Sequence, residues 1–195
     1  NYNTIREYIR NFIMSKLETN QVDPSTGTTL TLGTSGDTIN VPSGVTIANS
    51  GTATGFGVNT PAFMVKLSAE QNITTGTWTK ITFDSEVYDT DGKFASNKFT
   101  PTVAGTYNFM LQVSIDDLVD QKMLQLQIYK NGSAEPTSLT RLYGSITEKQ
   151  TSWCNWSDTS DDNDYYEAYV FHDIGSTKPL RVDMSTIWMG YKIIT

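Results

Sequence analysis

The chain has 195 residues, 37% of them hydrophobic and only 18% charged, and Ser, Thr and Asn together make up about 30% of it. That length supports one main core with a small appendage, and the composition argues against a helical bundle and for a turn-rich all-β protein. Fourteen basic against 21 acidic residues give a net charge of −7, so the chain lacks the cationic field that nucleic acid or anionic lipid requires.

Residues 1–24 carry Tyr2, Ile5, Ile9, Phe12, Ile13 and Leu17 at steps of three and four, with Thr4 and Glu7 spaced as a capping box and Asp23-Pro24 as a stop. The spacing predicts a short amphipathic helix. A helix of that length is marginal alone, so Ile5, Ile9, Phe12, Ile13 and Leu17 must bury against something, either this protein's own core or another protein.

Residues 25–60 change character: Ser, Thr, Gly and Asn dominate, and Asp37 is the lone charge. Three apolar pairs, Leu30 with Leu32, Ile39 with Val41 and Val45 with Ile47, each enclose one polar residue and are flanked by turn residues such as Gly33, Gly36 and Pro42-Ser43-Gly44. They read as very short strands with one thin apolar face each. Such faces cannot offset the ordering of some thirty residues at ~1–2 kcal/mol apiece. Three copies wrapped round one axis would close these side chains into a narrow apolar column, so an intertwined trimeric shaft is expected; a disordered Gly/Ser/Thr tether is the alternative.

Residues 61–195 hold most of the aromatics and read as successive strands separated by turns, the pattern of a β-sandwich. Segments 62–68, 79–83, 98–100, 106–115, 123–130, 138–147, 165–171, 180–184 and 186–194 are predicted strands. Tyr107, Phe109, Leu111, Val113 and Ile115 share one face, and Met123, Gln125 and Gln127 lie opposite Leu124, Leu126 and Ile128. No apolar run approaches the ~20 residues of a membrane span. The lone Cys154 allows no internal disulfide, and the opening Asn1-Tyr2-Asn3 does not read as a secretory leader, so assembly in a reducing cytoplasm is expected.

The stretch Lys98-Phe99-Thr100-Pro101-Thr102-Val103-Ala104-Gly105-Thr106-Tyr107-Asn108-Phe109, preceded by residues 81–94, resembles the first half of the complement 1q-like globular head. Leu126-Gln127-Ile128-Tyr129-Lys130-Asn131-Gly132 is similar to the central strand and turn of that family, and Trp188-Met189-Gly190-Tyr191-Lys192 to its closing strand. The resemblance covers residues 61–195 and implies a ten-stranded, trimeric jelly roll of the tumour-necrosis-factor-like kind, used for binding rather than chemistry. Trp153-Cys154-Asn155-Trp156 and the acidic stretch after it stand as an insertion relative to that pattern. A helix, a Ser/Thr/Gly shaft and such a head in series also resemble a small tail or head fibre or spike of a tailed bacteriophage, an analogy of architecture.

Candidate chemistry is sparse. His172 is the sole histidine and reads as a structural one; Cys154 has no basic neighbour to activate it. No phosphate loop, zinc spacing or serine elbow is present, and no catalysis or cofactor is expected. Asp158, Asp162 and Asp164, with Asp161 and Glu167 nearby, form the densest charge run and could hold calcium, although position six is Asn163 and position twelve Tyr169, a poor match to a calcium loop. Asp89 and Asp91 with Gly92 match the family's tight turn. Trp153, Trp156, Tyr165 and Tyr166 flank the acidic run, where rings beside carboxylates could grip a sugar, or pack in the core and between subunits.

These observations together predict a homotrimeric appendage on the surface of a virion, assembled in the host cytoplasm, held to other virion proteins by its N-terminal helix and binding a host-surface glycan or protein with its head. Neither nucleic acid binding nor membrane insertion is expected. A capsid decoration or cement protein and a secreted lectin-like adhesin are the alternative readings.

Overall fold

The computed structural model describes residues 22–51, 59–145, 149–182 and 186–193. The predicted anchoring helix, with Ile5, Ile9, Phe12, Ile13 and Leu17, lies outside the described residues. The chain divides into two units, residues 1–53 and 54–195, each described by itself.

In the first unit, residues 22–51 form bends and turns. The Asp37 amide bonds to the Thr34 carbonyl at 3.0 Å while the Asp37 carboxylate accepts from the Thr34 amide at 2.7 Å and from its hydroxyl at 3.0 Å. A second turn closes from the Val45 amide to the Pro42 carbonyl at 3.2 Å. The turn chemistry is therefore where the sequence puts it, and residues 22–51 of the single chain contain no strand. The reason is the absence of neighbours. Leu30, Leu32, Ile39, Val41, Val45 and Ile47 are all exposed, and a single extended segment has no ladder partner and no second apolar face to cover it.

The second unit is an all-β sandwich. Its strands are β1 (Ala62–Lys66), β2 (Gln71–Ile73), β3 (Thr79–Lys80), β4 (Ser85–Asp89), β5 (Phe94–Ala95), β6 (Lys98–Phe99), β7 (Gly105–Ile115), β8 (Met123–Lys130), β9 (Ser133–Ala134), β10 (Thr140–Tyr143), β11 (Gln150–Ser160), β12 (Tyr166–His172), β13 (Lys178–Leu180) and β14 (Ile187–Lys192). All pairings between strands are antiparallel. One sheet runs β2-β13-β7-β14-β1-β4, with β11 also along β7; the other runs β10-β8-β12-β6-β5, with β3 on β12 and β9 on β8. Several of the strands beyond the expected ten are only two or three residues long.

Alternation decides which side chains enter the core. Tyr107, Phe109, Leu111, Val113 and Ile115 of β7 are fully buried, and Leu124, Leu126 and Ile128 of β8 face them from the other sheet. Aromatic pairs tie the two sheets together: Phe63 stacks on Phe99 at 4.3 Å, and Phe109 meets Tyr166 at 4.5 Å, contacts worth about 0.5–1.5 kcal/mol each beyond the area they bury. Gly190 of β14 sits beneath these rings. A Cβ there would lie 2.6 Å from Phe109 and 2.8 Å from Phe63, so only glycine lets the rings close.

Two turns fix strand order locally. Ser96 and Asn97 both have positive φ in the two-residue β5–β6 loop, and Asn131 with Gly132 does the same between β8 and β9, as tight hairpins demand. At the other edge, the pairing of β1 with β4 carries a β-bulge between Met64 and Val65.

Candidate functional site

Of the region expected to be an insertion with an acidic loop, residues 150–160 form β11, which pairs with β7 along its whole length from Gln150↔Ile115 to Ser160↔Gly105, and residues 161–165 form the acidic loop after it. Ser152, Cys154 and Trp156 point inward and Trp153, Asn155 and Ser157 outward. Period two therefore puts Trp153 and Trp156 on opposite faces. Trp153 is 56% exposed, its indole N–H donating to Gln112 Oε1 at 2.7 Å. Trp156 is buried against Phe109 and donates to Thr137 Oγ1 at 2.9 Å. The same rule separates the tyrosines: Tyr166 is fully buried, while Tyr165 is half-buried under the Lys98 ammonium, 4.1 Å from its ring centre. Of the four rings expected from sequence to form one ligand site, Trp156 and Tyr166 meet edge-on at 6.2 Å in the core, while Trp153 faces outward and Tyr165 is half-buried under Lys98.

The acidic residues separate as well. Asp161 caps a turn, accepting the amides of Asn163 and Asp164 at 2.8 and 3.0 Å. Exposed Asp162 touches the Asn163 side chain. Asp158 and Asp164 converge, but on Lys130 of β8, whose ammonium lies 2.8 Å from Asp158 Oδ2 and 2.9 Å from Asp164 Oδ2. The lysine thus neutralises two of the three aspartates assigned to calcium, and among the described residues no group of three or more His, Cys, Asp or Glu side chains is placed to hold a metal ion. The network continues through the Tyr166 hydroxyl, which donates to Asp158 Oδ2 at 2.8 Å, and Asn131 Nδ2, which donates to Asp164 Oδ1 at 2.7 Å.

Its electrostatics follow from this geometry. Burial works against the Lys130 ammonium, yet bonds to two carboxylates outweigh it and raise its pKa. Burial likewise works against the Asp164 carboxylate, and the hydrogen bonds from Lys130, Asn131 and the Asp161 amide reverse that and lower its pKa. Burial, with the Asp158 charge added, pushes the Tyr166 phenol up.

His172 and Cys154 sit in the core with backbone partners. His172 Nε2 lies 3.0 Å from the Ile73 carbonyl, Nδ1 faces the Ile174 amide, and burial lowers its pKa. The Cys154 thiol donates to the Ser138 carbonyl at 2.9 Å, and burial pushes it up to about 11. A neutral imidazole and a protonated thiol held this way are structural groups. Asp89 and Asp91 serve the β4–β5 turn, Asp89 accepting the Phe94 amide at 2.8 Å and Asp91 the Thr90 hydroxyl at 2.7 Å. An open cleft of about 480 Å³ lies beside that turn between Phe83 and Phe94, but its Asp84 carboxylate is bound to Ser68 through two 2.6 Å bonds.

Three features were not singled out from sequence. The first is Lys130 itself. The second is the outward face of the first sheet, where register aligns Tyr88, Met64, Met189, Met110 and Asn155 in one row across β4, β1, β14, β7 and β11; the three methionines are half-buried. The third is the outward face of the second sheet, where Tyr129 stacks on Tyr169 at 3.8 Å and Trp78 lies 5.5 Å from Phe171. Each was legible only as alternation on two strands whose partnership the sequence does not state.

Residues 62–152 match the family described as the C1q domain. Among solved structures, the globular domain of the zebrafish complement 1qA protein is 18% identical, covering 68% of this chain and 97% of that one with a TM-score of 0.44. Murine APRIL at pH 5.0 is 11% identical, covering 68% of this chain and 98% of its own with a TM-score of 0.52; Eiger TNF from S. frugiperda is 9% identical, covering 68% and 91%, with a TM-score of 0.48. No curated protein matches the sequence. The second unit therefore shares its all-β sandwich fold with murine APRIL, with residues 62–152 similar to the C1q domain, and neither of these two likenesses indicates a catalytic family.

Proposed function

We propose that the chain is a homotrimeric structural appendage of a virion, a short fibre or spike whose sandwich is a distal head that binds the host surface. One observation carries this reading: among the described residues, apolar side chains stand exposed or half-exposed where sister copies would cover them. In the sandwich these are Met64, Met110 and Met189, with Trp153 beside them on the same face. In residues 22–51 they are the pairs from Leu30 to Ile47, exposed on a backbone without strands. Methionine is well suited to such a face, because its flexible thioether repacks against an identical neighbour. A cyclic assembly buries both sets at once and leaves the opposite sheet outward. On this reading Trp153 is a subunit contact rather than a receptor contact, the N-terminal segment attaches the trimer to other virion proteins, and the head engages a glycan or protein of the host.

Sedimentation of the whole chain tests the association. A trimer of 21.7 kDa subunits is expected, and Met110→Lys, which places an ammonium in the centre of the row, is expected to yield monomers that keep the wild-type β signature by circular dichroism. A wild-type chain that sediments as a monomer at micromolar concentration refutes it. Imaging of intact particles with a label on the head tests the location.

A further inference from the structure

We propose that the outward face of β8 and β12 is a saccharide-binding platform for neutral glycans, a proposal that rests on the receptor-binding reading and names its site and ligand class. Register places three pairs on this face: Gln125 opposite Phe171, Gln127 opposite Tyr169, and Tyr129 opposite Glu167. Tyr129 and Tyr169 stack with their ring centres 3.8 Å apart, and Trp78, preceding β3, tilts over them at 6.4 Å from Tyr129 and 5.5 Å from Phe171. All four rings are half-buried, so each keeps part of its surface open to solvent on the sheet away from the methionine row.

The floor between the rings is polar. Gln125 and Gln127 are only 8% and 6% exposed although they point outward. Their amide nitrogens are used, Gln125 Nε2 on Met123 Sδ at 2.9 Å and Gln127 Nε2 on the Glu135 carbonyl at 2.9 Å, and neither Oε1 has a hydrogen-bond partner among the described residues. Neither oxygen is sealed from solvent, so a hydroxyl-bearing ligand lying on the rings can reach both and donate to them. At the rim, Glu167 is held by Lys80 at 2.8 Å, which fixes one side of the platform, and exposed Arg141 stands opposite Gln125 on the other. Rings for the C–H faces of a sugar and acceptors for its hydroxyls are the two requirements of saccharide recognition. The net charge of −7 disfavours polyanionic glycans, which commits the platform to neutral ones.

Titration of the full chain with maltotetraose, cellotetraose, triacetylchitotriose and α-mannotriose, followed by saturation-transfer NMR, tests the proposal. At least one is expected to bind saturably with Kd on the order of 1 mM, and Tyr169→Ala is expected to weaken it at least about tenfold. Gln127→Leu, which keeps the side-chain volume and removes the acceptor, is expected to weaken it similarly and serves where Tyr169→Ala fails to fold. Trp153→Ala is expected to leave it unchanged. No saturable binding of any of the four up to ~20 mM, or binding indifferent to both platform variants, overturns the proposal. Binding that is lost in Trp153→Ala and kept in Tyr169→Ala overturns the platform but leaves a receptor-binding head standing. Saccharide binding by a protein that particle imaging places off the virion refutes the appendage and keeps the platform.

Discussion

Replacing Lys130 with Met removes the cation between Asp158 and Asp164 while keeping most of the side-chain volume. In the folded protein the ammonium makes contacts of 2.8 and 2.9 Å to the two carboxylates and a third of 2.9 Å to the Thr159 carbonyl. Side-chain exposures of 21% for Lys130, 24% for Asp158 and 9% for Asp164 leave these charges partly screened. Charge-assisted bonds contribute about 1.5–3 kcal/mol each when desolvated, and loss of one partner strands the other. With two such bonds and partial screening, the cost is about 2–4 kcal/mol, or a Tm lower by roughly 6–12 °C for a domain of this size. The pH dependence supplies an internal check. Asp164 has a folded pKa below its usual 3.8, so its contribution is present above that value and is lost as pH falls through the folded pKa. Without Lys130 this contribution disappears, and the gap between wild type and variant narrows below about pH 4. Urea unfolding of both proteins at pH 7 and pH 3.5 measures it. A gap under about 0.5 kcal/mol at pH 7, or one that does not narrow in acid, refutes the reasoning.

Gly190→Ala puts a methyl group 2.6 Å from Phe109 and 2.8 Å from Phe63, and this overpacking is expected to destabilise the sandwich by about 1–3 kcal/mol in calorimetry, whereas Gly76→Ala, with open space around it but positive φ, acts through backbone strain alone. His172 has a folded pKa below 6.5; both states are neutral above that pH, and as pH falls the unfolded chain takes up a proton the folded one refuses. Stability is therefore expected to fall from about pH 6.5 downward by at most about 1.4 kcal/mol per pH unit, and His172→Gln is expected to flatten urea midpoints between pH 7 and 5.5.

The sandwich was legible in the sequence wherever one strand face is apolar and the other polar. Segment 123–130 is β8 to the residue, and 106–115 is β7 short of Gly105. β11 was not legible, because its inward face mixes Ser152, Cys154, Trp156 and Ser160 while Trp153 breaks the outward one. The spacing of its two tryptophans nonetheless forbade a shared site, since an odd separation along a strand sends side chains to opposite faces. Period two decided the aromatic assignment, whereas the acidic run was decided by a residue that no local pattern reveals: Lys130 reaches Asp158 from 28 positions away. The short apolar pairs between Leu30 and Ile47 are expected to become strands only between three copies, because extended backbone becomes a strand only when a second chain segment supplies its hydrogen bonds.

The irregularity between Met64 and Val65 shifts the register of β4, the last strand on its side of the sheet, and charges at Glu86 and Asp89 stand beside exposed Val87 and Tyr88. A twisted, charged and short border is a poor template for another molecule's backbone. Copies of this protein are consequently discouraged from joining rim to rim into open-ended ribbons. Growth that is blocked sideways favours a finite particle of fixed subunit number, so the same small defect that spoils one ladder protects a crowded cell from polymerised protein.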